Sequence, residues 1–156
     1  MHRRFRELLS ELHSCHMRLV RMKPVTFGTF DRDRVPERGV YLFSERGKSL
    51  YVGRSNNICA RLGRHCKPNA TWRQAAFAFQ LARQVTGNFK ATYRKEGSRQ
   101  ALAADPTFMR AFVAAKDRIR NMQVRYVGEP DPTRQALLEM YVAVVLKTPY
   151  NDFNNH

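Results

Sequence analysis

The chain has 156 residues, the length of one domain with a substantial hydrophobic core. Its 43% hydrophobic and 26% charged residues exclude a disordered chain, and its longest apolar run, residues 141–146, is too short to span a bilayer. Lys and Arg outnumber Asp and Glu by 28 to 13, and the resulting net charge of +15 predicts a polyanionic partner. Nucleic acid is the first candidate, because each neutralised phosphate releases counterions. An anionic membrane is disfavoured, because no segment pairs a broad apolar face with a purely basic one.

The cysteines and the N-terminus predict a compartment. Cys15, Cys59 and Cys66 are odd in number and lack the paired spacing of a zinc site or a disulfide scaffold. We therefore expect reduced thiols in a cytoplasmic protein. Residues 1–6 are basic, but no apolar signal core follows them, so we expect no secretion.

The first third of the chain predicts a helix, a basic turn and a β-hairpin. Residues 3–21 place apolar side chains at helical spacing with Arg and Glu between them. After the turn at 31–38, residues 39–44 and 49–53 are rich in β-branched and aromatic residues and flank a connection that contains Gly47. This pattern is typical of two antiparallel strands. Next, Asn56 and Asn57 suit the N-cap of a short helix.

Residues 67–121 predict three helices. The first covers residues 71–85 and ends at Gly87, the second begins near Ser98, and the third follows Asp105, where an N-cap precedes a proline. Residues 122–127 alternate as a strand does. Asp131 then opens a strong helix that runs from Pro132 to about Lys147. Five residues are expected on its apolar side: Ala136, Leu137, Met140, Val144 and Val145.

These elements predict an α/β (α+β) fold: a small, three-stranded, mainly antiparallel sheet flanked by helices. We expect one domain over residues 1–156. Residues 1–37 would form an N-terminal helical extension and residues 67–121 a helical insertion.

Six residues have the chemistry expected of a phosphodiester-cutting site: Tyr41, Tyr51, Arg61, His65, Glu139 and Asn151. Arg61 offers a planar pair of donors to a phosphate, and His65, four residues later on the same helical face, titrates nearest neutrality. Glu139 interrupts an apolar stretch and is a hard oxygen ligand suited to one magnesium ion that keeps several waters. Tyr41 can act as a base only if its pKa is lowered by Arg61, Arg54 and the metal.

The spacing of these residues resembles the GIY-YIG nuclease family. Gly39-Val40-Tyr41 and Tyr51-Val52-Gly53 are separated by nine residues, Arg61 follows, and Asn151 comes twelve residues after Glu139. Either tripeptide alone is a weak signal, whereas the ordered set is specific. The resemblance covers residues 38–66 and 122–152.

The resemblance implies a DNA endonuclease that uses Mg²⁺ or Mn²⁺ and acts on DNA, expected to be double-stranded. Tyr41 and Tyr51 would position or activate water, Arg61 would clamp the phosphate, Glu139 would hold the metal, and Asn151 would brace the site. A histidine at the position of His65 resembles the homing and restriction branches more than the excision-repair branch. Since one active site cuts one strand at a time, a double-strand break would require a homodimer or two visits.

Further basic residues are expected to contact the nucleic acid. With Arg61, this set comprises Lys48, Arg54 and Arg64. Arg54 departs from the family pattern, where lysine is frequent after the second motif, and residues 67–121 are longer than the connection in a minimal module. This longer stretch would serve target binding or dimer contacts.

Simpler explanations exist for each residue taken alone. Tyrosines in strands pack cores, a single histidine is more often a surface residue, and Glu139 could lie on the solvent edge of its helix. Trp72, Phe77, Phe79 and Phe89 could stack on bases, although their helical spacing favours core packing. Two other functions share the positive charge: a nucleic-acid-binding module without catalysis, and a basic protein that binds an acidic protein partner.

Overall fold

The computed structural model describes residues 1–88, 98–151 and 153. In this part of the chain there are six α-helices, one 3₁₀ helix (Arg32–Arg34) and three strands. The helices are α1 (Arg3–Arg21), α2 (Ile58–Cys66), α3 (Ala76–Thr86), α4 (Arg99–Ala104), α5 (Pro106–Arg120) and α6 (Pro132–Leu146). The strands are β1 (Gly39–Glu45), β2 (Lys48–Ser55) and β3 (Gln123–Gly128). The predicted α+β class and the N-terminal helix are confirmed.

The three strands form one sheet in the order β2-β1-β3, and both pairings are antiparallel. A two-residue turn, Arg46-Gly47, connects β1 to β2, and both of its residues have positive φ, as tight hairpins require. Tyr41 lies opposite Gly53 on β2 and opposite Tyr126 on β3. The sheet is therefore wholly antiparallel, with the tyrosine of the first motif on its central strand.

The chain divides into two compact units, residues 1–61 with 122–156, and residues 62–121. In the first unit, α1 and α6 pack on the sheet and on each other. Its core contains side chains from all five of these elements: Leu12, Cys15, Leu19, Val40, Leu42, Val52, Val127, Leu138, Val142 and Ala143. Arg134 of α6 pairs with Glu11 of α1 and, at 3.0 Å, with Glu129. One ion pair therefore joins the two helices beside their apolar contact.

The buried side of α6 differs from the predicted one. The side chains that the helix buries are Gln135, Leu138, Val142 and Ala143, whereas Met140, Val144 and Val145 are 48%, 67% and 48% exposed. The prediction was wrong because this helix is apolar on most of its circumference, so periodicity does not select a face. The buried side even includes Gln135, whose Nε2 donates to the carbonyl of Glu129 at 2.7 Å.

The second unit is helical, as predicted for this stretch. Helix α3 packs along α5, and the fully buried aromatic rings include Phe77, Phe79 and Phe108. The core-packing interpretation of Phe77 and Phe79 is thus confirmed, while Phe89 lies outside the described residues. Helix α3 begins at Ala76, later than predicted, and ends at Gly87 in the left-handed conformation. That residues 67–121 are an insertion within a single domain stays a prediction.

No helix in the described part of the chain has both the length and the hydropathy needed to cross a membrane.

Candidate active site

The two glycines of the paired motifs leave room for main chain and for a phenol. A Cβ on Gly53 would lie 2.3 Å from the hydroxyl oxygen of Tyr41, so the phenol lies directly over this glycine. A Cβ on Gly39 would lie 2.0 Å from the carbonyl oxygen of Val127. A side chain at position 39 would therefore meet the main chain of Val127, and one at position 53 would displace the Tyr41 hydroxyl.

Arg61 connects the two motif tyrosines. Its Nε donates a hydrogen bond to the Tyr41 hydroxyl at 3.2 Å, and its guanidinium also interacts with the phenol of Tyr51. The rings of Tyr41 and Tyr51 lie 6.4 Å apart between centroids, inclined by 45°. Tyr41 is fully buried, whereas Tyr51 is partly exposed. The two predicted tyrosines are thus brought together at the guanidinium of the predicted arginine.

The phenols do not have the lowered pKa that the sequence suggested. Burial raises the pKa of Tyr41 well above its ordinary value, and the neighbouring phenol of Tyr51 raises it further. The charge and hydrogen bond of Arg61 act in the opposite direction without outweighing burial. Burial likewise raises the pKa of Tyr51. The protein's own cations therefore leave both phenols protonated at neutral pH.

Glu139 of α6 faces the site and not bulk solvent. Its side chain is 21% exposed, and its Oε2 accepts a hydrogen bond from Nε of Arg54 at 3.1 Å. Burial raises the pKa of this carboxyl, while Arg54 and then Arg61 lower it. The same carboxylate acts electrostatically on Tyr41 and Tyr51. The acid therefore belongs to the same electrostatic group as the phenols and the guanidinium.

Asn151 binds the main chain of the strand that carries Tyr51. Its Oδ1 accepts from the amide of Val52 at 2.9 Å, and its Nδ2 donates to the carbonyl of Val52 at 2.7 Å. The hydroxyl of Thr148 donates to the same Oδ1 at 2.7 Å, and the amide of Tyr150 donates to the carbonyl of Leu50. Since β2 is an edge strand, these bonds satisfy main-chain groups that no other strand pairs.

The remaining predicted residues lie in different surroundings. His65 belongs to the second unit, is fully buried, and meets the ring of Phe77 edge-on at 6.4 Å between centroids. This burial favours packing, and its predicted part in proton transfer stays a prediction. Lys48 is exposed at the start of β2, opposite Glu45, and Arg64 is exposed on the part of α2 in the second unit.

The donor set fits a metal ion that keeps most of its water. Within residues 1–88, 98–151 and 153, no three His, Cys, Asp or Glu side chains form a group suited to a metal. Glu139 is therefore a single carboxylate, paired with Arg54. One carboxylate and several waters is a usual arrangement for Mg²⁺ in phosphate chemistry. The residues present do not suit an ion that requires a complete protein cage, such as structural zinc.

Sequence reasoning missed two contributors to this geometry. Thr148 orients Asn151, and Arg54 pairs with Glu139 instead of standing alone on a binding surface. The position of Thr148, three residues before Asn151, was a weak signal for such a turn. No local signal pointed to the pairing of Arg54 with Glu139, because 85 residues separate them in sequence.

Comparison with known proteins agrees with the motifs. Residues 37–105 match the model of the GIY-YIG catalytic domain, which indicates a nuclease that acts on nucleic acid. This span includes Tyr41, Tyr51, Arg61 and His65, whereas Glu139 and Asn151 lie beyond it. Neither the curated proteins nor the solved structures gave a match to the chain. The catalytic-domain class is thus supported by both motif and model, and the branch within it is not resolved.

Proposed function

We propose that the chain is a metal-dependent endonuclease that hydrolyses phosphodiester bonds of double-stranded DNA. The observation that carries the proposal is the electrostatic contact between Arg61, Glu139 and the two motif tyrosines. A substrate phosphate placed beside Arg61 would meet a two-donor guanidinium whose orientation Tyr41 already holds. The match of residues 37–105 to the GIY-YIG catalytic domain supports the same reaction.

Each residue has a role that its surroundings support. Arg61 would bind a non-bridging oxygen and stabilise the charge that builds up on it. Glu139 would hold one Mg²⁺ or Mn²⁺ ion, which supplies positive charge at the leaving oxygen when it is bound. Because their pKa values are raised, Tyr41 and Tyr51 would act as neutral hydrogen-bonding groups that orient water and phosphate. Asn151 would position Tyr51 through Val52.

The arginine beside the acid has a second role in this proposal. Arg54 is 47% exposed, its Nε donates to Oε2 of Glu139 at 3.1 Å, and its main-chain amide also hydrogen-bonds this carboxyl. It would favour the ionised form of the carboxyl, because a nearby cation lowers the pKa that burial raises. The exposed part of its guanidinium would be available to a DNA phosphate, and we propose Lys48 and Arg64 as further DNA contacts.

The cysteines and His65 support a proposal for the setting of the reaction. The free thiols of Cys15, Cys59 and Cys66 favour a reducing compartment, and we place the protein in the cytoplasm. Assignment to the homing and restriction branch depends on His65 alone. Cleavage of both strands by a single site would require a homodimer or two successive binding events.

Nicking of supercoiled plasmid DNA tests the proposal. Wild-type protein is expected to nick in Mg²⁺ and to stop when a chelator is added. Glu139→Gln and Arg61→Gln are expected to lower the rate by about 10²-fold or more, as the loss of one transition-state contact does, while retaining most DNA affinity. Glu7→Gln is the matched control, because Glu7 is an exposed acid paired with Arg3 on α1.

Three outcomes would contradict the proposal. A wild-type nicking rate for Glu139→Gln or Arg61→Gln would contradict the assignment of the catalytic site. Nicking that continues in chelator would contradict the requirement for a metal ion. Tight DNA binding without nicking in any divalent ion would favour the alternative of a nucleic-acid-binding module without catalysis, and absence of DNA affinity at moderate salt would favour a basic protein-binding surface.

A further inference from the structure

The helical unit contains a cluster of arginines stacked on aromatic rings, formed by Trp72, Arg73, Phe79, Arg83 and Arg99, here called the arginine cluster. The guanidinium carbons of Arg99 and Arg83 lie 4.5 Å and 5.1 Å from the centroid of the Phe79 ring. Arg73 lies 5.0 Å and Arg99 5.9 Å from the centroid of Trp72. Two guanidinium groups therefore share one ring, and the neighbouring indole is stacked with cations as well.

The charges of this cluster are not compensated within the described residues. Nε and Nη2 of Arg83 are buried and have no hydrogen-bond partner there. The only ion pairs in that part of the chain involve other residues, so no carboxylate neutralises Arg73, Arg83 or Arg99. Burial lowers the pKa of Arg83, and the like charge of Arg99 lowers it further. Such an arrangement costs free energy in the absence of an anion.

Packing alone does not account for the cluster. Arginine side chains often cover aromatic surface, and one guanidinium over Phe79 would do so. A second guanidinium on the same ring adds repulsion, and stacking leaves the in-plane N–H donors of Arg83 unsatisfied. Arg99 uses Nη2 to bind the carbonyl of Trp72 at 3.1 Å, which holds it in place. Among the described residues, Arg99 is thus held in position while Nε and Nη2 of Arg83 bind no acceptor.

We propose that Arg83 and Arg99 bind one phosphodiester group of a nucleic-acid strand, at a site separate from the catalytic residues. A phosphate offers several acceptor oxygens and a negative charge, which match two planar guanidinium groups. Arg99 is exposed and Trp72 and Arg83 are partly exposed, so a strand can reach the cluster, whereas the buried Nε and Nη2 of Arg83 can bind it only if that side chain shifts. This inference rests on the proposed function, since it gives the helical unit a part in binding the same substrate.

Trp72 provides a direct measurement, because it is the only tryptophan in the chain. Titration of wild-type protein with a short DNA duplex in chelator should change its fluorescence saturably, with the same midpoint as anisotropy of labelled DNA. Sodium chloride at matched ionic strength should leave the fluorescence unchanged. Unchanged emission at saturating DNA, or an equal response to polyglutamate, would overturn the assignment of a phosphate ligand.

Paired variants test the two arginines. Arg83→Gln with Arg99→Gln should lower the slope of log affinity against log salt by about 1, since the loss of one neutralised phosphate removes about 0.9. Arg110→Gln is the control, because Arg110 is exposed on α5 and its side chain donates to Thr107. Equal slopes for the double variant and this control would overturn the inference. Arg83→Lys with Arg99→Lys retains charge without the planar fork, and should bind more weakly than wild type even if the glutamine variants do not fold.

The test separates this inference from the proposed function. A lower salt slope in the double variant, without any nicking by wild type, would support the phosphate site and contradict the endonuclease proposal. Nicking by wild type with an unchanged salt slope in the double variant would support the endonuclease proposal and contradict the phosphate site. Absence of DNA binding would contradict both the endonuclease proposal and the phosphate site.

Discussion

Replacement of Asn151 by Ala should destabilise the fold more than a surface substitution does. The change removes two hydrogen bonds to the main chain of Val52, of 2.9 Å and 2.7 Å, on an edge strand whose Val52 side chain is fully buried. A buried main-chain group left without a partner costs about 1–3 kcal/mol. Because Asn151 is itself partly exposed and water can replace some of this bonding, we expect the free energy of unfolding to fall by roughly 2–4 kcal/mol.

Urea denaturation followed by circular dichroism measures this loss. Asn151→Asp retains the acceptor for the Val52 amide but not the donor to its carbonyl, so an intermediate loss is expected. Asn121→Ala is the matched control, because Asn121 is exposed and donates one hydrogen bond to the carbonyl of Asp117. A loss for Asn151→Ala below about 0.5 kcal/mol, the range of ordinary surface changes, would refute the bracing role.

Three further substitutions test other parts of the structure. Gly53→Ala should displace the Tyr41 hydroxyl, lower the free energy of unfolding in urea by about 1–3 kcal/mol and abolish nicking; a wild-type nicking rate would contradict this close approach. Arg54→Gln should shift the acidic limb of the nicking rate to higher pH, because Arg54 lowers the pKa of Glu139; an unshifted limb would exclude this role. Burial lowers the pKa of His16 in the folded chain. The unfolded chain therefore binds a proton at a higher pH than the folded chain does, so wild-type stability should fall as pH drops below about 6.5. His16→Gln should weaken this fall in melting temperature, and an unaltered pH dependence would contradict it.

The helices and strands that short sequence patterns mark, such as turns and helix caps, were predicted well. The hairpin follows from two β-rich runs around Arg46-Gly47, and α6 follows from an N-cap and a proline at its first position. Asp131 accepts a hydrogen bond from the amide of Arg134, as that signature implies. These features depend on neighbouring residues alone, so a single sequence contains them. The spacing of the motif residues likewise predicts one site for Tyr41 and Arg61, which are hydrogen-bonded to each other.

The parts that were missed depend on tertiary surroundings. The buried face of α6 is determined by which elements it packs against, because the helix itself is apolar almost all round. The pKa of Tyr41 likewise depends on burial beneath the rest of the sheet. A sequence reveals that cations lie nearby, but not that desolvation of the phenol outweighs them.

The pairing of Arg54 with Glu139 shows why such electrostatic balances determine chemistry. Burial favours the neutral acid, and a neutral acid would be a poor ligand for a divalent cation. Arg54 offsets that burial from the end of β2, 85 residues earlier in the sequence. Because its guanidinium is half-exposed, this support is weakened by salt less than that of a fully solvated ion pair and more than that of a buried one. The pKa of Glu139 is therefore set jointly by its burial on α6, by Arg54 at the sheet edge and by Arg61 of α2.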